Sequence, residues 1–255
     1  MIVERDGAVA VLTIDRPKRR NALDTEAKKS LRTALESVAA APDVRAVVLT
    51  GAGGSFCSGQ DLAEHAALLK ADPAHATDTV EADYAPIVKA LASMPKPVIA
   101  AVQGTCVGAG LALALACDLR VFADDAHLAT AFTAIGFTCD TGLSLTLPGS
   151  VGESRAKELL LLGEPFTPAQ AVTWGIAGQV VPGPEVQERA RALAAKLAAG
   201  PTRAYAETKH LLSTAPLSTV LHHEAQAQAR LALTADHAEA VTAFVSKSKP
   251  DFRGN

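Results

Sequence analysis

The stretch from Val98 to Cys117, VIAAVQGTCVGAGLALALAC, runs for twenty residues without a charged side chain. Uncharged sequence of that length fits two environments, the hydrocarbon of a bilayer or the interior of a large α/β domain. Gln103, Gly104 and Thr105 decide between them, because they divide the run into a strand, a turn and a helix. The stretch therefore reads as a buried βα unit. The chain has 255 residues, 49% of them hydrophobic, which is enough to enclose such a unit in a sizeable core.

Charge excludes one class of partner. Charged residues make up 20% of the chain and the formal net charge is -3, which argues against an electrostatic nucleic-acid binder. A local basic patch for a small phosphorylated ligand is still compatible with it. Cys57, Cys106, Cys117 and Cys139 form no CxxC pair. Neither they nor the histidines have workable metal-ligand spacing, so no metal site is expected. The opening MIVERDGAVAVLTIDRP lacks the basic-then-apolar layout of a signal peptide, and a cytoplasmic location with no membrane partner is the expectation.

Strand and helix periods alternate along the chain. Strands are predicted at Val9–Ile14, Val44–Thr50, Pro97–Val102 and Asp118–Phe122, with a strand-like stretch at 128–132. A helix is predicted from Asp24, its candidate cap, to Ala40. Residues 71–79, ADPAHATDT, read as an exposed loop before a helix that ends at Leu91. Helices are expected at 154–162, 168–174 and 186–197, and beyond Gly200-Pro201 only helices near 202–213, 217–233 and 236–248. This places a boundary near residue 198, between an α/β core (1–198) and a helical region (199–255) that packs on its own subunit or on a neighbour.

Three glycine-punctuated segments are candidates for chemistry. Gly53–Leu62 (GGSFCSGQDL) follows a strand and opens a helix. Its N–H groups suit negative charge, although Asp61 also reads as a plain helix cap. Gln103–Gly110 (QGTCVGAG) does the same, and matches neither a Walker A loop nor the GxGxxG fingerprint. Two such turns suggest two backbone donors meeting at one oxygen. In Ile135–Gly142 (IGFTCDTG), Asp140 sits among small residues, either as a turn or cap aspartate or as a carboxylate in a pocket. His65 lies one helical turn beyond Asp61 and is a weaker pocket candidate. His75, His127, His210, His222, His223 and His237 read as surface or packing residues.

Taken together these segments resemble the crotonase superfamily, the enoyl-CoA hydratase/isomerase family. The resemblance is carried by Asn21-Ala22-Leu23, Phe56–Leu62, Ala101–Gly104 with Val107–Gly110, Ala116–Arg120, Gly163–Ala171, Gly175 with Val180-Val181, and the tail Lys249–Gly254. It covers essentially the whole chain in the family's order. It implies an α/β spiral of ββα units with a C-terminal helical region, assembled as a homotrimer or homohexamer. It implies acyl-coenzyme A substrates, with coenzyme A as part of the substrate and no tightly bound cofactor. The backbone N–H groups of Gln60 and Ala109 would form an oxyanion hole. Arg20, Ala22, Ser58, Gln60 and Leu62 would hold the coenzyme A portion.

The departures bear on the reaction. The two glutamates with which hydratases of the family handle water correspond to Ala112 and Phe132, which carry no proton. The Asp140 segment resembles instead members with GLxPDxGG, in which the aspartate is the acid/base, although Leu143 replaces the second glycine. The expectation is an isomerase that shifts a double bond through an enolate, with Asp140, Gln60 and Ala109 as its catalytic groups. A hydratase using other acids, and a catalytically weak acyl-CoA-binding scaffold, are the competing readings.

Overall fold

A computed structural model describes residues 1–212 and 217–250, the side chains at 210 and 211 excepted. The His210 side chain and the tail motif beyond Pro250 lie outside the described residues. In chain order the elements are β1 (Ile2–Asp6), β2 (Val9–Ile14), α1 (Thr25–Ala40), β3 (Ala46–Gly51), α2 (Leu62–Ala71) and α3 (Ala85–Ala92). Then come β4 (Val98–Val102), β5 (Thr105–Val107), α4 (Ala109–Ala116), β6 (Leu119–Ala123), β7 (His127–Ala129) and α5 (Leu143–Val151). The chain continues with α6 (Glu153–Leu162), α7 (Pro168–Thr173), β8 (Gln179–Val181), α8 (Val186–Ala198), α9 (Thr202–Leu212), α10 (Leu217–Leu231) and α11 (Ala235–Ser246).

The large sheet has the order β1-β2-β3-β4-β6-β8. β1 joins antiparallel and every other pair is parallel. β5 and β7 form a second, parallel sheet, extended by bridges between Cys57 and Cys106 and between Leu128 and Phe166. The chain thus alternates between a large-sheet strand, a small-sheet segment and a helix, an α/β spiral of ββα units followed by helices.

Burial explains which strands the sequence announced. All residues of β3 and β4 are buried, so AVVLTG and VIAAV are apolar runs without alternation. β1, IVERD, is exposed throughout and was not anticipated from its pattern. The predicted strand at Val44 begins two residues later, at Ala46, within the usual scatter of element ends. α1 buries Lys28, Leu31, Ala34, Leu35 and Val38, and Asp24 caps it by accepting from the Ala27 N–H at 2.8 Å.

The helical region folds back onto its own chain. Lys209 on α9 pairs with Asp118 at 2.7 Å. α10 lies against α3 and α5, and α11 against α2. No helix among the described residues is long and apolar enough to cross a membrane.

Candidate active site

Backbone hydrogen bonds stitch the two glycine-rich turns together. The Phe56 N–H donates to the Gln103 carbonyl at 2.7 Å, Cys57 to Thr105 at 3.0 Å, and Val107 back to Cys57 at 3.0 Å. Gly110 is required by this approach, since a Cβ there would lie 2.1 Å from the Cys57 carbonyl oxygen. Leu23 bridges Gln60 by donating to the Gly59 carbonyl and accepting from the Asp61 N–H, at 2.8 and 3.1 Å. The Gln60 N–H is left out of that bridge. Ala109 is the first residue of α4, where an N–H has no acceptor within the helix. Neither N–H donates a backbone hydrogen bond among the described residues. Both residues line one cavity of about 680 Å³.

All the residues singled out from the sequence, Arg20, Ala22, Ser58, Gln60, Leu62, Ala109 and Asp140, line that cavity. Lys18 and Arg19 join Arg20 there, and all three are exposed, so the mouth is locally basic in a chain of net charge -3. Ser58 fastens this basic turn to the first glycine-rich turn. Its N–H donates to the Arg20 carbonyl at 3.1 Å and its hydroxyl to the Arg19 carbonyl at 3.3 Å. Asp61 is occupied structurally, capping α2 through the Ala63 and Glu64 N–H groups and pairing with Arg16 at 3.1 Å.

Asp140 is not a helix cap. The Gly142 and Ser144 N–H groups at the start of α5 donate to Glu224 of α10, at 2.8 and 3.2 Å. The Asp140 carboxylate accepts instead from the Thr141 hydroxyl at 2.8 Å and from Gln228 Nε2 at 3.0 Å. Burial pushes its carboxyl above the usual carboxylate range, and those two hydrogen bonds, with the charge of Lys28, pull it partly back. Asp61 and Asp140 are the carboxylate residues lining the cavity among the described residues. Phe132 lines it too, whereas Ala112 is buried within α4 and does not reach it.

The sequence reading missed Lys28, Tyr84, Glu224, Gln228 and the contact made by His237. Lys28 is 1% exposed, and its ammonium donates to Gln60 Oε1 at 3.2 Å and to the Thr79 hydroxyl. The Tyr84 hydroxyl donates to the same Gln60 oxygen at 2.6 Å. Burial lowers the Lys28 pKa, against the charges of Asp83, Glu64, Asp24 and Asp140. A signal was present, because Lys28 stands in the apolar stripe with Leu31, Leu35 and Val38. His65 lines the cavity, and its Nε2 lies 2.9 Å from His237 Nε2. His237 Nδ1 lies 2.7 Å from the Ile135 carbonyl. In the neutral pair His237 therefore donates through Nδ1 and accepts at Nε2 from His65. Burial, with His237 and Lys28 nearby, pushes His65 down to about 4. Residues 71–79, expected as an exposed loop, bury Ala76 and Thr77 in the cavity wall.

The profile of the family described as enoyl-CoA hydratase/isomerase matches residues 4–255. The chain is 38% identical to the 1,2-epoxyphenylacetyl-CoA isomerase of Escherichia coli over 253 residues, 96% of this chain and 95% of that protein. It is 35% identical to the 2,3-dehydroadipyl-CoA hydratase of the same organism over 257 residues, 100% of this chain and 98% of that protein. An enoyl-CoA hydratase structure from Mycobacterium avium subsp. paratuberculosis superposes with a TM-score of 0.88 at 32% identity, covering 99% of this chain and 98% of that one.

Proposed function

The chain belongs to the enoyl-CoA hydratase/isomerase family and acts on acyl-CoA substrates, and from that premise we propose that it is an isomerase in which Asp140 carries the proton. The observation that carries this reading is the state of Asp140. It is a buried carboxylate on the cavity wall, free of the capping duty that Glu224 performs.

In the proposed reaction the Asp140 carboxylate takes a proton from the α-carbon of a 3-enoyl thioester. The electron pair moves through the carbonyl to give a dienolate, whose oxygen accepts from the Gln60 and Ala109 N–H groups. Asp140, now protonated, returns the proton to the γ-carbon, and the 2-enoyl thioester results. One carboxylate serves both steps and no co-reactant is consumed. Lys18, Arg19 and Arg20 supply positive charge for the phosphates of coenzyme A, with Ala22, Ser58 and Leu62 beside them. The identities to an isomerase and to a hydratase are close, 38% and 35%, so the choice rests on Asp140, Ala112 and Phe132. The test compares two assays on the wild-type enzyme. Isomerisation of a 3-enoyl-CoA should proceed at a typical enzyme rate of ~1–10³ per second, and hydration of crotonyl-CoA should be weak or absent. Robust hydration without isomerisation would overturn the reading.

In this reading residues 1–198 carry substrate binding and catalysis, and 199–255 close the pocket and mediate assembly into a trimer or hexamer. Gln228, Ala240 and Phe244 of that region line the cavity. Exposed Leu161, Leu162 and Val245 are apolar surface that a closed symmetric assembly would cover. Light scattering at micromolar concentration should give a trimer or hexamer mass, and a monomer mass would refute the assembly.

A further inference from the structure

Asp61, Asp140 and Glu224 are the buried carboxylates among the described residues, and their hydrogen-bond partners are of two kinds. Asp61 accepts from the Ala63 and Glu64 N–H groups and from the Arg16 guanidinium. Glu224 accepts from the Gly142 and Ser144 N–H groups and from the Ser144 hydroxyl. A main-chain N–H or a guanidinium can only donate. Such partners suit the ionised carboxylate and oppose the acid.

Asp140 has no such donor among the described residues. Its Oδ1 accepts from the Thr141 hydroxyl at 2.8 Å and its Oδ2 from Gln228 Nε2 at 3.0 Å. Both partners are buried, and both are groups whose hydrogen bond can reverse. A hydroxyl donates to a carboxylate, or accepts from an acid, by rotating about its C–O bond. A carboxamide does the same by turning over about its terminal torsion, which is broad and twofold. Among the described residues Gln228 Oε1 is enclosed without a partner, so turning the amide over breaks no hydrogen bond at its far end. The two carboxylates that line the cavity show the result. Burial acts to raise both, but at Asp61 the Arg16 guanidinium and the two N–H groups outweigh it. Asp61 therefore lies below its ordinary value and Asp140 above.

We propose that Thr141 and Gln228 are positioning residues that hold Asp140 through both of its protonation states, each able to reverse its hydrogen bond when the proton arrives. With the carboxylate ionised, both donate. When the proton sits on Oδ2, Gln228 turns over and accepts from it at Oε1. When it sits on Oδ1, the Thr141 oxygen accepts. The carboxyl keeps both partners in either state, so a proton comes and goes without the side chain being released. The other titratable groups around Asp140 act on it through space. They are Lys28 of α1, Tyr84 ahead of α3, the neighbouring Cys139 and Glu224 of α10. None of them is hydrogen-bonded to its carboxylate among the described residues. The inference rests on the reading of Asp140 as the proton carrier and adds what keeps the carrier in place.

The experiment follows Asp140 in the whole enzyme by infrared titration of the carboxylic C=O band that Asp140→Asn removes, alongside the pH profile of turnover. Gln228→Met and Thr141→Val keep the bulk of each side chain and take away the reversible partner. In each, the midpoint of the band and the acid limb of turnover should move up by ~1 pH unit, the effect of one lost hydrogen bond to a charged group. Thr141→Ser, which restores the hydroxyl, should bring the midpoint back. Gln228→Lys supplies a donor that cannot reverse. Its midpoint should move down, and turnover at neutral pH should nevertheless fall at least ~10-fold, because the proton is no longer held as well as it is released. A midpoint unmoved in Gln228→Met or in Thr141→Val would overturn the proposal, as would a Gln228→Lys enzyme as fast as wild type. Lost turnover in Asp140→Asn together with unmoved midpoints would overturn this proposal alone. Shifted midpoints together with a fully active Asp140→Asn enzyme would count against the proton-carrier reading alone, since the band reports Asp140 itself whatever reaction is run.

Discussion

The two faces of the cavity are made of different material. Gln60 and Ala109 line it on turns whose backbones touch, with main-chain N–H groups that donate no backbone hydrogen bond among the described residues. Asp140, Gln228, Thr77 and Phe132 face it with side chains brought from separate elements. The donors of the first face belong to the main chain and depend on the turns closing, while the Gln60 side chain serves a separate purpose, accepting from Lys28 and Tyr84. The second changes its chemistry with a single substitution. In the proposed reaction, stabilisation of the enolate therefore belongs to the scaffold, and the fate of the proton belongs to a handful of side chains.

Ala109→Pro attacks the backbone face directly. Proline is accommodated at the first position of a helix, so α4 should persist while the ring deletes the N–H and occupies its place. Isomerase turnover should fall by ~10²–10³-fold, the usual cost of one oxyanion donor, with the melting temperature showing that the fold survives. Normal turnover would mean that the oxygen binds elsewhere.

Asp140→Asn breaks the other face. Turnover should drop at least ~10²-fold while thioester affinity changes little, because binding resides in the turns and the basic mouth. The signs of the pH effects follow from the raised carboxyl. In the wild type, turnover should fall as pH drops through a pKa above the ordinary 3.8, and that limb should vanish in the variant. Native Asp140 holds its proton more tightly than the unfolded chain does. Its burial therefore lowers stability as pH rises above 3.8 and through the raised value. The asparagine can still accept from Gln228 and donate to Thr141 without that penalty. The variant should thus melt higher than wild type at pH 7, and the gap should close below pH 3.8. A fully active variant ends the proton-carrier proposal.

His65→Gln should give the smallest change. The native pair resists protonation, with His65 at about 4 against an ordinary 6.5. The unfolded chain takes up the proton first, so stability is lost as pH falls from 6.5 towards 4. Removing the imidazole should flatten that loss, raising the melting temperature at pH 5 relative to wild type by roughly 2–4 °C if about 1 kcal/mol is recovered. Identical melting curves from pH 8 to 4 would show that the pair does not sense protons.

The same contrast explains what was readable in the sequence. The backbone face was legible because strand, glycine-rich turn and helix start follow one another within ten residues, as in Gly53–Leu62 and Gln103–Gly110. Asp140 was legible as a candidate only, because its two readings were separated by Glu224, which lies 82 residues away from Gly142 and takes over the capping. Gln228 meets Asp140 across 88 positions and His65 meets His237 across 172, distances at which no local pattern operates. α5 was missed for a local reason, since LSLTLPGSV begins after a left-handed glycine and contains Pro148. β8 is three residues long, too short for a period to register.

The hydrogen bond from Gln228 to Asp140 has a consequence in time. A ribosome releases the chain from its N-terminus at roughly 5–20 residues per second. The 88 positions that separate the two residues thus correspond to a delay on the order of ten seconds. During that delay a nascent chain already owns its glycine-rich turns and its aspartate, but not the amide that steadies the aspartate or the helices that close around it. In the proposed reaction the pocket is complete only once α10 and α11, which bring Gln228, Ala240 and Phe244 to the cavity, have been made, so the last helices of the chain also finish its active site.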